Sequence, residues 1–202
     1  MIIAHRGNGG KYKENTINAI VNSLNSPYCD GVEFDIRETK DNIFILSHNM
    51  LYNKKIVYKT LYKDLDDAES LNDLLKTIQS KKIIMIEIKE ERNNFILLKH
   101  LHSILKKYKL NYYIMSFNYK LITYFKKKYP SYKCGLLIGI KINKNLINNN
   151  LDFNAVNIKH IDKATDKDFV WTINEIEKIK IISNNIITDK PVDIYNFIYD
   201  KK

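Results

Sequence analysis

The chain has 202 residues, a net charge of +10 from 33 Lys+Arg against 23 Asp+Glu, 45% apolar residues, and only 6 Gly and 3 Pro. This composition excludes a disordered tail, a collagen-like chain and a disulfide scaffold, and the length is enough to bury a sizeable core. No stretch approaches the roughly 18 consecutive apolar residues of a membrane span, so no stable membrane insertion is expected.

The opening MIIAHRG lacks the basic region and long apolar run of a signal peptide. Cys29 and Cys134 lie far apart in sequence and read as reduced thiols in a cytoplasmic protein. Ile2–His5 is a short apolar run ending at Arg6-Gly7, and Glu14–Asn25 places Ile17, Ile20, Val21 and Leu24 at helical spacing. Val32–Ile36 reads as a strand. Ile43–Ser47 follows after only six residues, too few for a parallel crossover, so the two should form an antiparallel hairpin around Lys40-Asp41. Ile83–Ile88 is the next strand, followed by Phe95, Leu98, Leu101, His102 and Leu105 on a helix. Tyr112–Phe117 precedes a helix through Lys128. Then come Gly135–Ile140, Ala155–Ile158 and Phe169–Ile173, a helix at Asn174–Ile181, a strand at Ile186–Thr188 and a closing helix at Pro191–Tyr199. Asn143–Asn150 is the most polar stretch and too short to separate domains, so residues 1–202 are expected to form one domain. Without the hairpin's return strand, eight strands with helical connections remain, the pattern of a (β/α)8 barrel; a doubly wound sheet is the alternative.

Only Arg6, Arg37 and Arg92 among the basic residues are arginine, while Asn, Ile and Tyr are abundant. AT-rich coding DNA produces this bias, so a lysine carries little information here and an arginine more. The lysine excess reads as a soluble surface, with no nucleic-acid partner expected.

In either architecture, function collects at the C-terminal ends of parallel strands. The first strand ends His5-Arg6-Gly7, the second carries Glu33 and Asp35, the return strand ends His48-Asn49, and the next core strand carries Glu87 and Lys89. Glu33 and Asp35 share a face, as do Glu87 and Lys89. A tight hairpin centred on Lys40-Asp41 would place His48 opposite Glu33. Three buried carboxylates would repel one another unless a cation sat between them. An all-oxygen set favours Mg²⁺, Ca²⁺ or Mn²⁺ over Zn²⁺. Arg6 and Lys89 suit a phosphate, and His5 and His48 can serve as general acid and base. Together these groups point to phosphodiester cleavage, while His100, His102 and His160 read as structural or solvated.

The pieces AHRG at 4–7, ENT at 14–16, DGVEFDIRETKDN at 30–42, SHN at 47–49 and IEIK at 86–89 resemble the glycerophosphodiester phosphodiesterase family. MSFN at 115–118, VWTIN at 170–174 and IITDKP at 186–191 resemble its later strand-end motifs. The resemblance implies a (β/α)8 barrel and a divalent-metal-dependent hydrolysis of glycerophosphodiesters to glycerol 3-phosphate and an alcohol. It implies His5 and His48 as the acid/base pair, Glu33, Asp35 and Glu87 as ligands of one metal ion, and Arg6 and Lys89 as phosphate contacts. Glu14 and Asn15 would support the site, and Trp171 stands where the family has a substrate-side aromatic. Lys13 replaces the family's usual Pro, Asn49 its usual Asp, and residues 51–82 stand where members commonly carry a longer insertion over the glycerol moiety. That shortening would open the site to a bulkier diester. The expected substrate is therefore a small glycerophosphodiester or a lysophospholipid. The alternatives are a phospholipase-D-like enzyme acting on lysophospholipid or sphingomyelin, and an inactive polyanion-binding barrel. Retention of both histidines and all three carboxylates speaks against the last.

Overall fold

The computed structural model describes residues 1–8, 10, 12–90, 94–140, 150–179 and 185–199. Arg92, most of the polar stretch at 143–150 and the end of the helix expected over Asn174–Ile181 lie outside them. The eight expected core strands are β1 (Ile2–Ala4), β2 (Gly31–Glu38), β6 (Ile83–Ile88), β7 (Asn111–Ser116), β8 (Lys133–Ile138), β9 (Phe153–Asn157), β10 (Phe169–Trp171) and β11 (Asn185–Thr188). Consecutive strands pair in parallel, and β1 joins both β11 and β2, so the sheet closes into a (β/α)8 barrel. The helices around it are α1 (Ile17–Asn25), α2 (Leu71–Thr77), α3 (Ile96–Leu105), α4 (Tyr119–Lys128), α5 (Ile176–Ile179) and α6 (Pro191–Tyr199).

Strand alternation sorts side chains into two cores. Val32, Phe34, Ile36, Ile84, Ile86 and Ile88 face outward to the helices and pack with Leu74, Leu98 and Leu101. Ile3, Met85, Tyr113, Met115, Phe153, Phe169 and Ile187 fill the barrel interior. Phe153 and Phe169 meet edge to face at 5.3 Å. Gly135 on β8 makes room for them, since a Cβ there would lie 2.2 Å from the Phe153 ring.

The hairpin's return strand, β3 (Phe44–Leu46), pairs antiparallel with β2 as expected, but one residue out of the expected register. Ile36 faces Leu46 and Glu38 faces Phe44. Continued downward, this register would set His48 against Phe34 rather than Glu33. The cause lies in the turn. Five residues span it, Thr39 N–H donates to the Ile43 carbonyl, and Asn42 takes a left-handed φ of 63°, a conformation that Asn tolerates well. Since β6 holds one edge of β2, β1 and β3 share the other. β1 reaches Val32 and β3 begins at Ile36. Beyond β3, a small hairpin of β4 (Leu51–Tyr52) and β5 (Lys55–Ile56) and two short 3₁₀ turns lead to α2.

The first helix starts later than Glu14. Thr16 caps it, its hydroxyl accepting from Ala19 N–H, and Asn15 sits before it with a φ of 54°. This leaves Glu14 and Asn15 in the β1–α1 loop, free of helical geometry and turned to other uses.

Candidate active site

β1 ends in a tight turn, His5–Gly7, with Arg6 at φ 53° and Gly7 at φ 67°. A Cβ on Gly7 would collide with the α1 backbone, 2.7 Å from Ile20 N, so glycine is required there. The turn aims the Arg6 N–H at Glu33, whose Oε2 accepts it at 3.0 Å. The Arg6 guanidinium holds Glu14 at 2.7 Å, and its Nε lies 3.4 Å from Asp35 Oδ2. That buried Nε makes no well-formed hydrogen bond. Asn15 braces Asp35 twice: its Nδ2 donates to Oδ2 at 2.8 Å, and its Oδ1 accepts the Asp35 N–H at 3.0 Å. These contacts bridge the stretch of β2 that neither β1 nor β3 covers.

Parity on two neighbouring strands brings the carboxylates together. Asp35 stands beside Glu87 in the β2–β6 register, and Glu33 lies two residues below Asp35. Oxygens of Glu33, Asp35 and Glu87 lie within 4.8 Å of one another, all three residues being buried. Lys89 Nζ pairs with Glu87 at 2.7 Å and with Asp35 at 3.2 Å. Burial, and then repulsion by Asp35, push the Glu33 and Glu87 carboxyls above the ordinary range. Burial works in the same sense on Asp35, but Lys89, the Asn15 hydrogen bond, His48 and Arg6 outweigh it and hold that carboxyl low. Such a set has excess negative charge that the protein's own cations neutralise only in part.

The two histidines reach the same cavity. His5 Nδ1 meets Asp189 Oδ1 at 2.7 Å, and its Nε2 lies 3.9 Å from Glu33. Burial lowers the His5 pKa, but the Asp189 hydrogen bond and the Glu33 charge more than offset this and leave it raised. His48 is lowered, first by burial and then by Lys89 and Arg6. The chain leaves the β3 ladder before His48, so the residue arrives beside the carboxylates despite the altered register. A cavity of about 100 Å³ is lined on its polar side by His5, Arg6, Glu33, His48, Glu87 and Lys89, and on its apolar side by Met115, Phe117, Leu137, Trp171 and Ile187. Trp171 donates its indole N–H to the Ala155 carbonyl at 2.8 Å and meets Phe117 edge-on at 5.9 Å.

Three contributors received no role in the sequence reading, although Asn174 and Asp189 fall within the strand-end motifs quoted there. Asp189 sits just past β11, and Asn174 holds it through Nδ2–Oδ2 at 2.6 Å while accepting the Asp189 N–H. A carboxylate following the last strand was the available signal. Arg37 is the third: Nε donates to the His48 carbonyl and Nη1 to the Lys89 carbonyl, each at 3.1 Å. Its signal was its scarcity, as one of three arginines. The other histidines stay apart from the cavity: His100 bonds Glu38, His102 stacks on Tyr129, and His160 meets the Ile140 carbonyl.

Comparison with known proteins bears on the family and the fold. The model of the glycerophosphoryl diester phosphodiesterase family matches residues 5–161. A glycerophosphodiester phosphodiesterase of Bacillus altitudinis is 41% identical over 63 residues, 31% of this chain but only a quarter (25%) of that protein's length. YhdW of Bacillus subtilis is 26% identical over an alignment of 231 residues covering 94% of each chain. A Thermotoga maritima glycerophosphodiester phosphodiesterase superposes with a TM-score of 0.76 at 27% identity, covering 94% of both chains. An Oleispira antarctica phosphodiesterase, solved with sn-glycerol-3-phosphate, shares the fold with a TM-score of 0.84 at 18% identity over 98% of this chain and 96% of its own. The family model spans most of the chain and every strand-end group from His5 to Lys89, and the chain belongs to the glycerophosphoryl diester phosphodiesterase family.

Proposed function

We propose that the chain hydrolyses glycerophosphodiesters to glycerol 3-phosphate and an alcohol. One observation carries this reading: two histidines from the ends of β1 and β3 line one cavity with two cations and the buried Glu33 and Glu87, which cluster with Asp35. The clustered carboxylates fit a hard divalent ion such as Mg²⁺, Ca²⁺ or Mn²⁺, being all oxygen, buried and short of positive charge. When bound, the ion would supply positive charge to the phosphoryl oxygens. Arg6, whose buried Nε pairs with Asp35 without a hydrogen bond, and Lys89 would hold the phosphate alongside it.

Cleavage needs a proton removed on one side of phosphorus and one delivered on the other. One imidazole takes the proton of the attacking hydroxyl, and the other protonates the departing alkoxide. If the neighbouring glycerol hydroxyl attacks first, a cyclic phosphate forms as the P–O bond to the alcohol breaks. Water then opens the ring with the histidine roles exchanged. Asp189 fixes the His5 ring, and Trp171 with Phe117 walls the substrate side.

The test is hydrolysis of glycerophosphocholine with and without EDTA. Chelation should abolish activity, and Mg²⁺, Ca²⁺ or Mn²⁺ should restore it; full activity in thoroughly chelated protein would sink the metal assignment. His5→Ala and His48→Ala should each lower kcat about 10²–10⁴-fold, with the double variant little worse than the weaker single. A near-normal kcat in His48→Ala would remove it from the reaction. The apolar cavity wall favours one further substrate class, diesters bearing an acyl chain such as lysophospholipids. Comparing kcat/KM for lysophosphatidylcholine and glycerophosphocholine decides between them.

A further inference from the structure

Beside the candidate active site lies a second, larger cavity of about 390 Å³. It is built from the β1–α1 loop and the segment that follows β3. His48 lines both cavities. A further link joins them. The Arg6 guanidinium, on the wall of the first, holds Glu14, on the wall of the second, at 2.7 Å. The imidazole assigned to proton transfer and the guanidinium assigned to the phosphate therefore stand at the border between the two spaces.

The walls differ in kind. The first cavity has the apolar side formed with Phe117 and Trp171. The second is polar, and its charges lean acidic in a chain of net charge +10. Glu14, Asp67 and Glu69 line it, and among the described residues only Lys13 is a lysine or arginine there. Arg6 answers Glu14, which leaves Asp67 and Glu69 against Lys13. Glu69 accepts the Ile17 N–H with one oxygen at 2.6 Å and keeps its charge. Lys55, in the same segment, is turned to Asp66 and to the Asp64 carbonyl. Tyr52 also lines the cavity, its hydroxyl donating to the Asp67 carbonyl at 2.9 Å. Burial, and then the charges of Glu69 and Asp67, push the Tyr52 hydroxyl pKa up, so both carboxylates act on that aromatic stretch of wall.

We infer that the second cavity receives the alcohol of the diester and selects an amino alcohol, choline or ethanolamine, over a neutral polyol. A phosphodiester has two arms, and the first cavity has room for only one of them beside the phosphate. The glycerol, with any acyl chain it carries, lies along the apolar wall. The other arm passes His48 into the polar space. There, two carboxylates beside an aromatic ring match an ammonium group, which is attracted both by negative charge and by the face of a ring. This gives the segment after β3 the alcohol to enclose, rather than the glycerol that the family resemblance places beneath it. The inference rests on the hydrolytic function proposed above.

The experiment compares kcat/KM of the full chain, with a divalent ion present, for glycerophosphocholine, glycerophosphoethanolamine and glycerophosphoglycerol. The two amino-alcohol diesters should be preferred, and the preference should shrink at about 1 M salt, where the Debye length is ~3 Å. Asp67→Asn with Glu69→Gln removes both charges at little structural cost. Asn tolerates the left-handed φ of 61° at position 67, and Gln keeps an oxygen for the Ile17 N–H. This double variant should lower the preference about 3–10-fold, by lowering kcat/KM for the amino-alcohol diesters. Leu51→Trp, an exposed change on the cavity wall, should raise KM severalfold for all three diesters. Glu177→Gln, which removes an acid outside the lining, should leave the preference as it was. Equal kcat/KM for the three diesters in the parent overturns the subsite and leaves hydrolysis standing. So does a preference that survives the double variant, an equal loss in Glu177→Gln, or an unchanged KM in Leu51→Trp. A chain that cleaves none of the three overturns the hydrolytic function, and the subsite with it.

Discussion

A guanidinium offers five donors in a rigid fork, and Arg37 uses that geometry to tie together two carbonyls, those of His48 and Lys89, at the ends of different strands. It is not among the residues that line the cavity. It sets the distance between the His48 imidazole and the Lys89 ammonium, which both line the cavity. Arg37→Met keeps much of the volume and leaves both carbonyls without that donor. Small displacements at a reacting centre are costly, so kcat on glycerophosphocholine should fall about 10–100-fold with a much smaller change in KM. Arg37→Lys, able to reach one carbonyl at a time, should fall between that variant and the parent. Steady-state kinetics on the three proteins check this, and an unaltered kcat in Arg37→Met would show that His48 and Lys89 hold their places without it. Arg37 was missed for a physical reason. Its neighbours on β2 announce their purpose by being acids in a buried strand, whereas bonds from an arginine to backbone carbonyls leave no mark in the sequence. Asp189 was missed similarly, because the residue it orients lies 184 positions away.

At the scale of elements, the core strands were legible to within two residues because buried parallel strands are apolar runs between turn signals. Their order followed from the short connections. The hairpin register was not legible, since it depends on whether the turn holds two residues or five, and Asn42 decides that through a left-handed backbone rather than through a recognisable pair such as Asn-Gly. The late start of α1 was hidden in the same way by Asn15. Gly135 offers a test of packing between elements. It is the gap in β8 that the Phe153 ring of β9 fills, and both residues are deep in the barrel. Gly135→Ala forces the ring or a strand to move, so stability should fall by about 1–3 kcal/mol, the usual cost of overpacking, read from urea unfolding. Phe153→Leu in the same background should recover part of the loss by vacating the space.

At the scale of the whole molecule, the buried carboxylate cluster costs fold stability. Glu33 and Glu87 are raised by burial and by Asp35, Glu87 to about 8. A carboxyl raised on folding binds its proton more tightly in the native state than in the unfolded one. Its contribution is full below the ordinary carboxylate range and is lost as pH climbs through the raised value. Metal-free protein should therefore lose Tm between about pH 5 and pH 8, and Glu87→Gln should flatten that decline. Saturating Mg²⁺, Ca²⁺ or Mn²⁺ should raise Tm most at the alkaline end, where the carboxylates are ionised and ready to bind. Calorimetry across that range, with and without the ion, is decisive: a metal-free Tm that rises with pH would contradict the repulsion inferred from the cluster.

The closure of the barrel has a kinetic consequence. β1 is three residues long, and its partners β2 and β11 come from near and far along the chain. The β1–β2 contact is local enough to form early. The β1–β11 contact joins the two ends of the sequence and must wait for the intervening strands, because loop closure over such a span carries the largest entropy cost in the fold. His5 and Asp189 stand on either side of that last seam. On dilution from denaturant, helical signal and the β2–β6 carboxylate pair should return first. Catalytic turnover should return in a later phase, when the final strand seats and the histidine meets its carboxylate. Stopped-flow circular dichroism run beside a timed activity assay would separate the two events, and coincident rates would mean that the seam forms with the rest.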